Sequence, residues 1–209
     1  MYENTDEAFH ERQVSGAVSD KFSKSHHPAK VAMTRFAVGK ATFFSEAQEV
    51  AYVDYSVSHL RTTGTGSMTE NGEALAGSSI DLLLRDAAQH YLVVGEVKAQ
   101  DDRLPFLGLI QSLAYAVELS TYCQQRRLEM AYAGTFKMNS ATPSVGIGLF
   151  SLGLKPGSNA SESFELSKKL SEALIRDTDG WLRRITFYDA VLTDDGVSIT
   201  SVLTATKPT

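Results

Sequence analysis

Two consecutive runs of strand composition constrain the fold of this chain most strongly. They are SSIDLLLRD at 78–86 and HYLVVGEVKA at 90–99, and each is largely apolar on both of its faces. Strands that are apolar on both faces lie centrally in a sheet that helices cover on each side. The two runs therefore predict an α/β or α+β domain with a central mixed sheet flanked by helices.

The short connection between these runs determines how the two strands pair, because a loop of about four residues favours a simple antiparallel hairpin. A turn centred between Ala88 and Gln89 places Asp81 directly opposite Glu96. Side chains alternate along a strand, so Lys98 lies on the same face as Glu96. The sequence thus predicts two carboxylates and one ammonium group together on one face of the sheet.

These three charged residues suggest a metal site. Two carboxylates that face each other across a sheet repel by a few tenths to about 1 kcal/mol. A divalent cation between Asp81 and Glu96 would remove this conflict, and Mg²⁺ usually binds one or two carboxylates together with water and phosphate oxygens. Lys98 could then hold the attacking water and offset charge that grows on the phosphate. Spacing alone leaves an alternative open, in which Asp81 caps a strand edge, Glu96 pairs with Lys98 in solvent, and no ion binds.

The rest of the chain predicts one domain over 31–209, preceded by a polar N-terminal arm over 1–30. Before the hairpin we expect a strand or irregular lead-in at 31–44 and a loop or short outer hairpin at 62–77. Between them we expect a helix at 46–60 whose apolar stripe is Val50, Val53, Val57 and Leu60. After it we expect a helix at 104–120 with Leu104, Leu107, Leu113, Ala114 and Val117 on its apolar face, strands at 128–138 and 144–153, a helix at 161–177, and a hairpin at 181–206 about Asp194, Asp195 and Gly196.

Composition restricts the functions that this domain can carry. The formal charge of -5 argues against binding of nucleic acid over the whole surface, so such binding requires a local basic patch. The single cysteine, Cys123, excludes an intrachain disulfide and a cysteine-rich zinc site, and it fits a reducing cytoplasm. No stretch reaches the length and apolarity of a membrane span, and the acidic N-terminus lacks the apolar segment of a secretory signal. We therefore expect a cytoplasmic protein with no membrane partner.

The order IDLLL, VVGEVK and then LIQSLAYAVEL resembles the signature of the PD-(D/E)xK nuclease superfamily. Gln111 and Tyr115, four residues apart on one helix face, resemble the QxxxY motif of its RecB-like and related exonuclease branches. Ile80 stands where the superfamily's name has proline. The resemblance covers about residues 45–138 and implies a restriction-endonuclease-like core of αβββαβ order, with further strands and a helix over 139–209. It also implies that Gln111 and Tyr115 look back at the active site and touch the nucleic-acid backbone.

The same resemblance implies a Mg²⁺-dependent nuclease, for which Mn²⁺ should substitute. Asp81 and Glu96 would bind the ion, and Lys98 would position the attacking water. A glutamate from the preceding helix is implied as a further metal ligand, and we favour Glu49 because it lies on the buried side of the helix predicted there. Glu46 falls in the first turn of that helix, where a carboxylate is explained by the helix dipole alone.

DNA is the substrate that this resemblance implies, and RNA is left open. A homodimer or a partner protein is expected to help the domain engage a duplex, since no separate DNA-binding segment is evident. The alternative from another class is a binding module for nucleic acid or protein that keeps the nuclease fold without catalysis in a repair, phage or mobile-element assembly.

Overall fold

The computed structural model describes residues 27–38, 50–58, 79–99, 105–137, 143–152, 160–194 and 196–206, together with residues 18, 23 and 24. In chain order its elements are α1 (Pro28–Val38), β1 (Val50–Ser58), β2 (Ser79–Asp86), β3 (Leu92–Lys98), α2 (Pro105–Leu119), α3 (Tyr122–Ala131), β4 (Val145–Leu152), α4 (Ala160–Asp177), β5 (Leu182–Thr193) and β6 (Gly196–Thr206). Over these residues, no helix combines the length and apolarity that crossing a membrane requires.

The six described strands form one mixed sheet in the order β1-β2-β3-β4-β5-β6. β1, β2 and β3 are antiparallel neighbours, β3, β4 and β5 run parallel, and β6 returns antiparallel to β5. Parallel neighbours need crossover connections, which carry α2 and α3 between β3 and β4 and α4 between β4 and β5. The fold is therefore α+β, and the predicted mixed sheet flanked by helices is confirmed.

The β2–β3 hairpin has the predicted register. Leu82 pairs with Gly95, and each pair closer to the turn keeps the same register. Extended outward by one residue, this register sets Asp81 opposite Glu96. The carboxylate of Asp86 fixes the turn, because its Oδ1 accepts two backbone N–H hydrogen bonds from the turn at 3.1 and 2.6 Å. Turn length was therefore sufficient to predict the pairing of these strands.

Apolar side chains pack on both faces of the sheet. Val93 and Val94, which are adjacent on β3, belong to different packing layers because side chains alternate along a strand. Met33 of α1 lies in the layer of Val93. Leu109 of α2 and Ile175 of α4 lie in the layer of Val94. The central strands are thus covered by helices on both sides, as their composition predicted.

The helix predicted at 46–60 is wrong over its described part, since residues 50–58 form β1. Val50, Val53 and Val57 have a spacing that suits a helix, but this segment pairs along β2 with a register shift between Tyr52 and Asp54. Most positions of β1 are buried, so the strand shows no alternation of apolar and polar residues that would distinguish it from a buried helix.

Two further predicted segments also have a different secondary structure. Residues 28–38 form α1 where a strand or irregular lead-in was expected from 31 onward, and Pro28 stands at the first helical position that proline favours. The strand predicted at 128–138 is wrong over its described part, since residues 128–137 form the end of α3 followed by turns, with Gly134 at φ 73°. The loop predicted at 62–77 lies outside the described residues.

The prediction for α2 gave nearly correct bounds and a wrong buried face. Leu107 and Val117, expected on the apolar face, are 53% and 52% exposed. The buried positions are instead Pro105, Gly108, Leu109, Ser112, Tyr115, Ala116 and Leu119. Gly108 is one of these positions, and it lies against the side chain of Lys98. The strand predicted at 144–153, the helix at 161–177 and the hairpin at 181–206 are confirmed as β4, α4 and the pair β5–β6. Gly196 lies at the turn of this pair with φ 126°.

Candidate active site

Three charged side chains are buried where β2 and β3 lie farthest from their turn. Asp81 is 6% exposed, Glu96 1% and Lys98 9%. Charged side chains are almost never buried to this extent unless they are paired. The solvent-exposed ion pair that spacing alone left open is therefore not what the structure contains.

Lys98 joins the sheet to α2. Its Nζ lies 3.1 Å from Oε1 of Glu96 and donates a hydrogen bond of 3.2 Å to Oε1 of Gln111. Nε2 of Gln111 in turn donates to the hydroxyl of Tyr115 at 2.8 Å. Four of the predicted site residues thus form a continuous series of contacts from the end of β3 along α2.

Gly108 creates the space in which Lys98 lies. A Cβ atom at this position would be 3.0 Å from Cε and 3.2 Å from Cγ of Lys98, closer than side chains normally approach. The helix therefore packs directly over the lysine stem and holds it against Glu96. Gly108 was not among the predicted site residues.

Asp81 is held from two directions. Its Oδ2 accepts the backbone N–H of Val97 at 2.9 Å, and its Oδ1 lies 2.6 Å from Nζ of Lys30 on α1. Lys30 was not among the predicted site residues. The two partners are 51 positions apart in the chain, so no local pattern indicates their contact.

Glu96 occupies the least favourable environment for a charged carboxylate. Burial, and then the negative charge of Asp81, raise the pKa of Glu96 from its usual 4.5 to about 7, although Lys98 and Lys30 oppose the shift. Its Oε2 atom is buried and has no hydrogen-bond partner within the described part of the chain. Burial also raises the pKa of Tyr115, which keeps its hydroxyl protonated at neutral pH. The unpartnered oxygen of Glu96 is thus positioned to take a proton or a cation.

Asp81 and Glu96 have the donor chemistry of a site for a hard divalent cation. Nowhere in the described ranges do three or more His, Cys, Asp or Glu side chains come together. Two carboxylates nevertheless fit Mg²⁺, which completes its coordination with waters and phosphate oxygens. Because Oε2 of Glu96 has no hydrogen-bond partner among the described residues, it is available to coordinate such an ion. Glu46 and Glu49, predicted as sources of a further ligand, lie outside the described residues.

Comparison of the chain with protein-family models, with curated proteins and with solved structures finds no match. The residues and geometry of this site are therefore the basis for any assignment of function.

Proposed function

We propose that this chain is a metal-dependent nuclease of the PD-(D/E)xK type, which hydrolyses phosphodiester bonds, with DNA as its substrate. The observation that carries the proposal is the contact series from Glu96 through Lys98 and Gln111 to Tyr115, in which one buried carboxylate oxygen has no partner among the described residues. A purely structural ion pair would favour satisfying that oxygen, because an unpaired buried polar atom costs about 1–3 kcal/mol.

The order of elements supports the same proposal. From α1 to β4 the chain follows the sequence α, β, β, β, α, β, with α3 inserted after α2. The first three strands are antiparallel, and β4 lies parallel to β3 at its side. The restriction-endonuclease-like core that we propose therefore extends from 28 to 152, since its first helix is α1 and its last strand is β4.

Each residue of the contact series has a distinct role in the proposed reaction. The ammonium group of Lys98 would hold the attacking water and offset charge that develops on the phosphate. Gln111 holds this ammonium group in place, and the hydroxyl of Tyr115 holds the Gln111 amide. Asp81 and Glu96 would bind the Mg²⁺ ion, which when bound polarises the phosphate and lowers the pKa of a coordinated water.

Cleavage assays test the proposal directly. We would incubate linear duplex, circular duplex and single-stranded DNA, with an RNA control, in Mg²⁺ or Mn²⁺ against EDTA. The variants are Asp81→Ala, Lys98→Met and, as a matched control, Lys169→Met at an exposed position of α4. We expect metal-dependent cutting by the wild type and the control, and a loss of at least about 100-fold in the other two variants.

The outcomes separate the candidate functions. Cutting of the circular substrate would identify an endonuclease, whereas a requirement for free ends would identify an exonuclease. If no substrate is cut and calorimetry detects no binding of Mg²⁺, the nuclease proposal fails. The chain would then be better explained as a non-catalytic binding module.

A further inference from the structure

Lys30 brings a second ammonium group to the site, for which the proposed reaction has no role. Its Nζ lies 2.6 Å from Oδ1 of Asp81. The Lys30 side chain is 25% exposed, whereas the Asp81 side chain is 7% exposed. Lys30 therefore reaches from the protein surface to a buried carboxylate.

The backbone of Lys30 is fixed although its side chain is partly exposed. Its neighbours Ala29 and Val31 are 3% and 6% exposed, and the hydroxyl of Thr34 donates a hydrogen bond of 2.8 Å to the Lys30 carbonyl oxygen. The four-carbon stem of a lysine retains several rotatable bonds under these conditions. The ammonium group can consequently leave Asp81 without any movement of α1.

When Glu96 is ionised, the charges at this site balance without a metal ion. Lys30 pairs with Asp81, and Lys98 pairs with Glu96, so two carboxylates are matched by two ammonium groups. A divalent cation added to all four groups would leave a net charge of about +2 in a largely buried site, which low local polarity makes unfavourable. One ammonium group must therefore move away when the ion binds.

Lys30 is the better candidate for this displacement. It occupies Oδ1 of Asp81, while Oδ2 already accepts the backbone N–H of Val97. Lys98, by contrast, is held by Gln111 and by the packing of Gly108 against its stem. A lysine is also a point charge without the planar two-pronged contact of an arginine, so its contact with Asp81 is readily exchanged.

We infer that Lys30 is a resident counter-ion that a divalent cation displaces from Asp81, so that Lys30 sets the metal affinity of the site. This inference rests on the proposed function, because it assumes that Asp81 is a metal ligand. Removal of the ammonium group should tighten Mg²⁺ binding by about tenfold, within the usual range of coupling between two ligands.

Calorimetric titration of Mg²⁺ into the metal-free full chain tests this inference. Lys30→Met and Lys30→Gln remove the charge, and glutamine keeps a donor for Asp81 should the methionine variant fail to fold. Lys30→Arg retains the charge and should not bind more tightly than the wild type. Arg35→Met removes one charge from an exposed position of the same helix and should bind as the wild type does. Tighter binding confined to the two neutral Lys30 variants is the expected result.

Thermal unfolding distinguishes displacement from a merely structural role. In EDTA the neutral variants should melt below the wild type, because Asp81 loses its counter-charge, and saturating Mg²⁺ should raise their Tm by more than it raises that of the wild type. Equal Mg²⁺ affinity in the wild type and the neutral variants would overturn the inference, as would a loss of Tm that Mg²⁺ does not restore.

These results are separable from the fate of the proposed function. If the wild type cuts DNA with Mg²⁺ while the neutral variants bind Mg²⁺ no more tightly, only the role of Lys30 is overturned. If neither the wild type nor the neutral variants bind Mg²⁺, both this inference and the metal-dependent function are overturned.

Discussion

Glu96 should make the stability of the fold fall as pH rises toward neutrality. Its pKa is raised to about 7 in the folded protein, against an ordinary value of 4.5. The folded state therefore binds more protons than the unfolded state between these two values. Stability from this group is fully present below pH 4.5 and is lost as pH rises through 7. The pKa shift corresponds to roughly 3 kcal/mol of folding stability, since one pKa unit is about 1.4 kcal/mol.

The assay is urea unfolding in EDTA at several pH values between 5 and 8, for the wild type and for Glu96→Gln. Glutamine cannot titrate, so the variant should gain about 2 to 3 kcal/mol relative to the wild type as pH rises from 5 to 8. Other titrating groups are common to both proteins and cancel in this difference. A difference in stability that stays constant across the pH range would show that Glu96 does not titrate near pH 7 in the folded protein. Excess Mg²⁺ should flatten the pH dependence of the wild type, because the ion favours the ionised carboxylate.

Three other substitutions have definite expected outcomes. Gly108→Ala should lower the single-turnover cleavage rate about tenfold by displacing the stem of Lys98. The free energy of unfolding in urea should change by less than about 1 kcal/mol. Asp86→Ala should destabilise the fold by about 3–5 kcal/mol in urea unfolding, because Arg184, 4% exposed, loses its carboxylate partner at 3.1 Å. Tyr115→Phe should reduce the single-turnover rate about fivefold, the equivalent of one neutral hydrogen bond, with unchanged metal affinity by calorimetry.

Local sequence was enough to predict the central hairpin and the residues that it brings together. The turn at Ala88 and Gln89 fixed the register of β2 and β3, and alternation along β3 then set Lys98 beside Glu96. These relationships involve residues fewer than 20 positions apart. Helix spacing similarly predicted the contact between Gln111 and Tyr115.

Segments that are apolar on every side were harder to predict. In β1 five of the seven positions with a described side chain are buried, so the spacing of valines favoured a helix where pairing with β2 imposes a strand. In α2 the strongest apolar stripe, which includes Leu107 and Val117, is exposed, whereas the face with Gly108 and Ser112 is buried. The contact with Lys98 explains the glycine on this buried face, since a Cβ atom at position 108 would lie 3.0 Å from Cε of the lysine.

Lys30 could not have been predicted from the sequence at all. It lies on α1, at a position that was predicted to belong to the polar N-terminal arm, and its partner Asp81 is 51 positions away. Contacts of this kind depend on how α1 packs on the sheet, which local patterns do not specify. The site's charge balance therefore became apparent only from the three-dimensional arrangement.

The proposed function requires that Asp81 and Glu96 together hold a divalent cation at the end of the β2–β3 hairpin. A crystal structure of the protein with Mn²⁺, in which anomalous scattering locates the ion, would test this requirement. We predict one strong anomalous peak within about 2.3 Å of Oε2 of Glu96 and of an oxygen of Asp81, with Nζ of Lys30 moved away. An ion bound only by other residues, or no anomalous peak between these two carboxylates at saturating Mn²⁺, would contradict a metal site formed by Asp81 and Glu96.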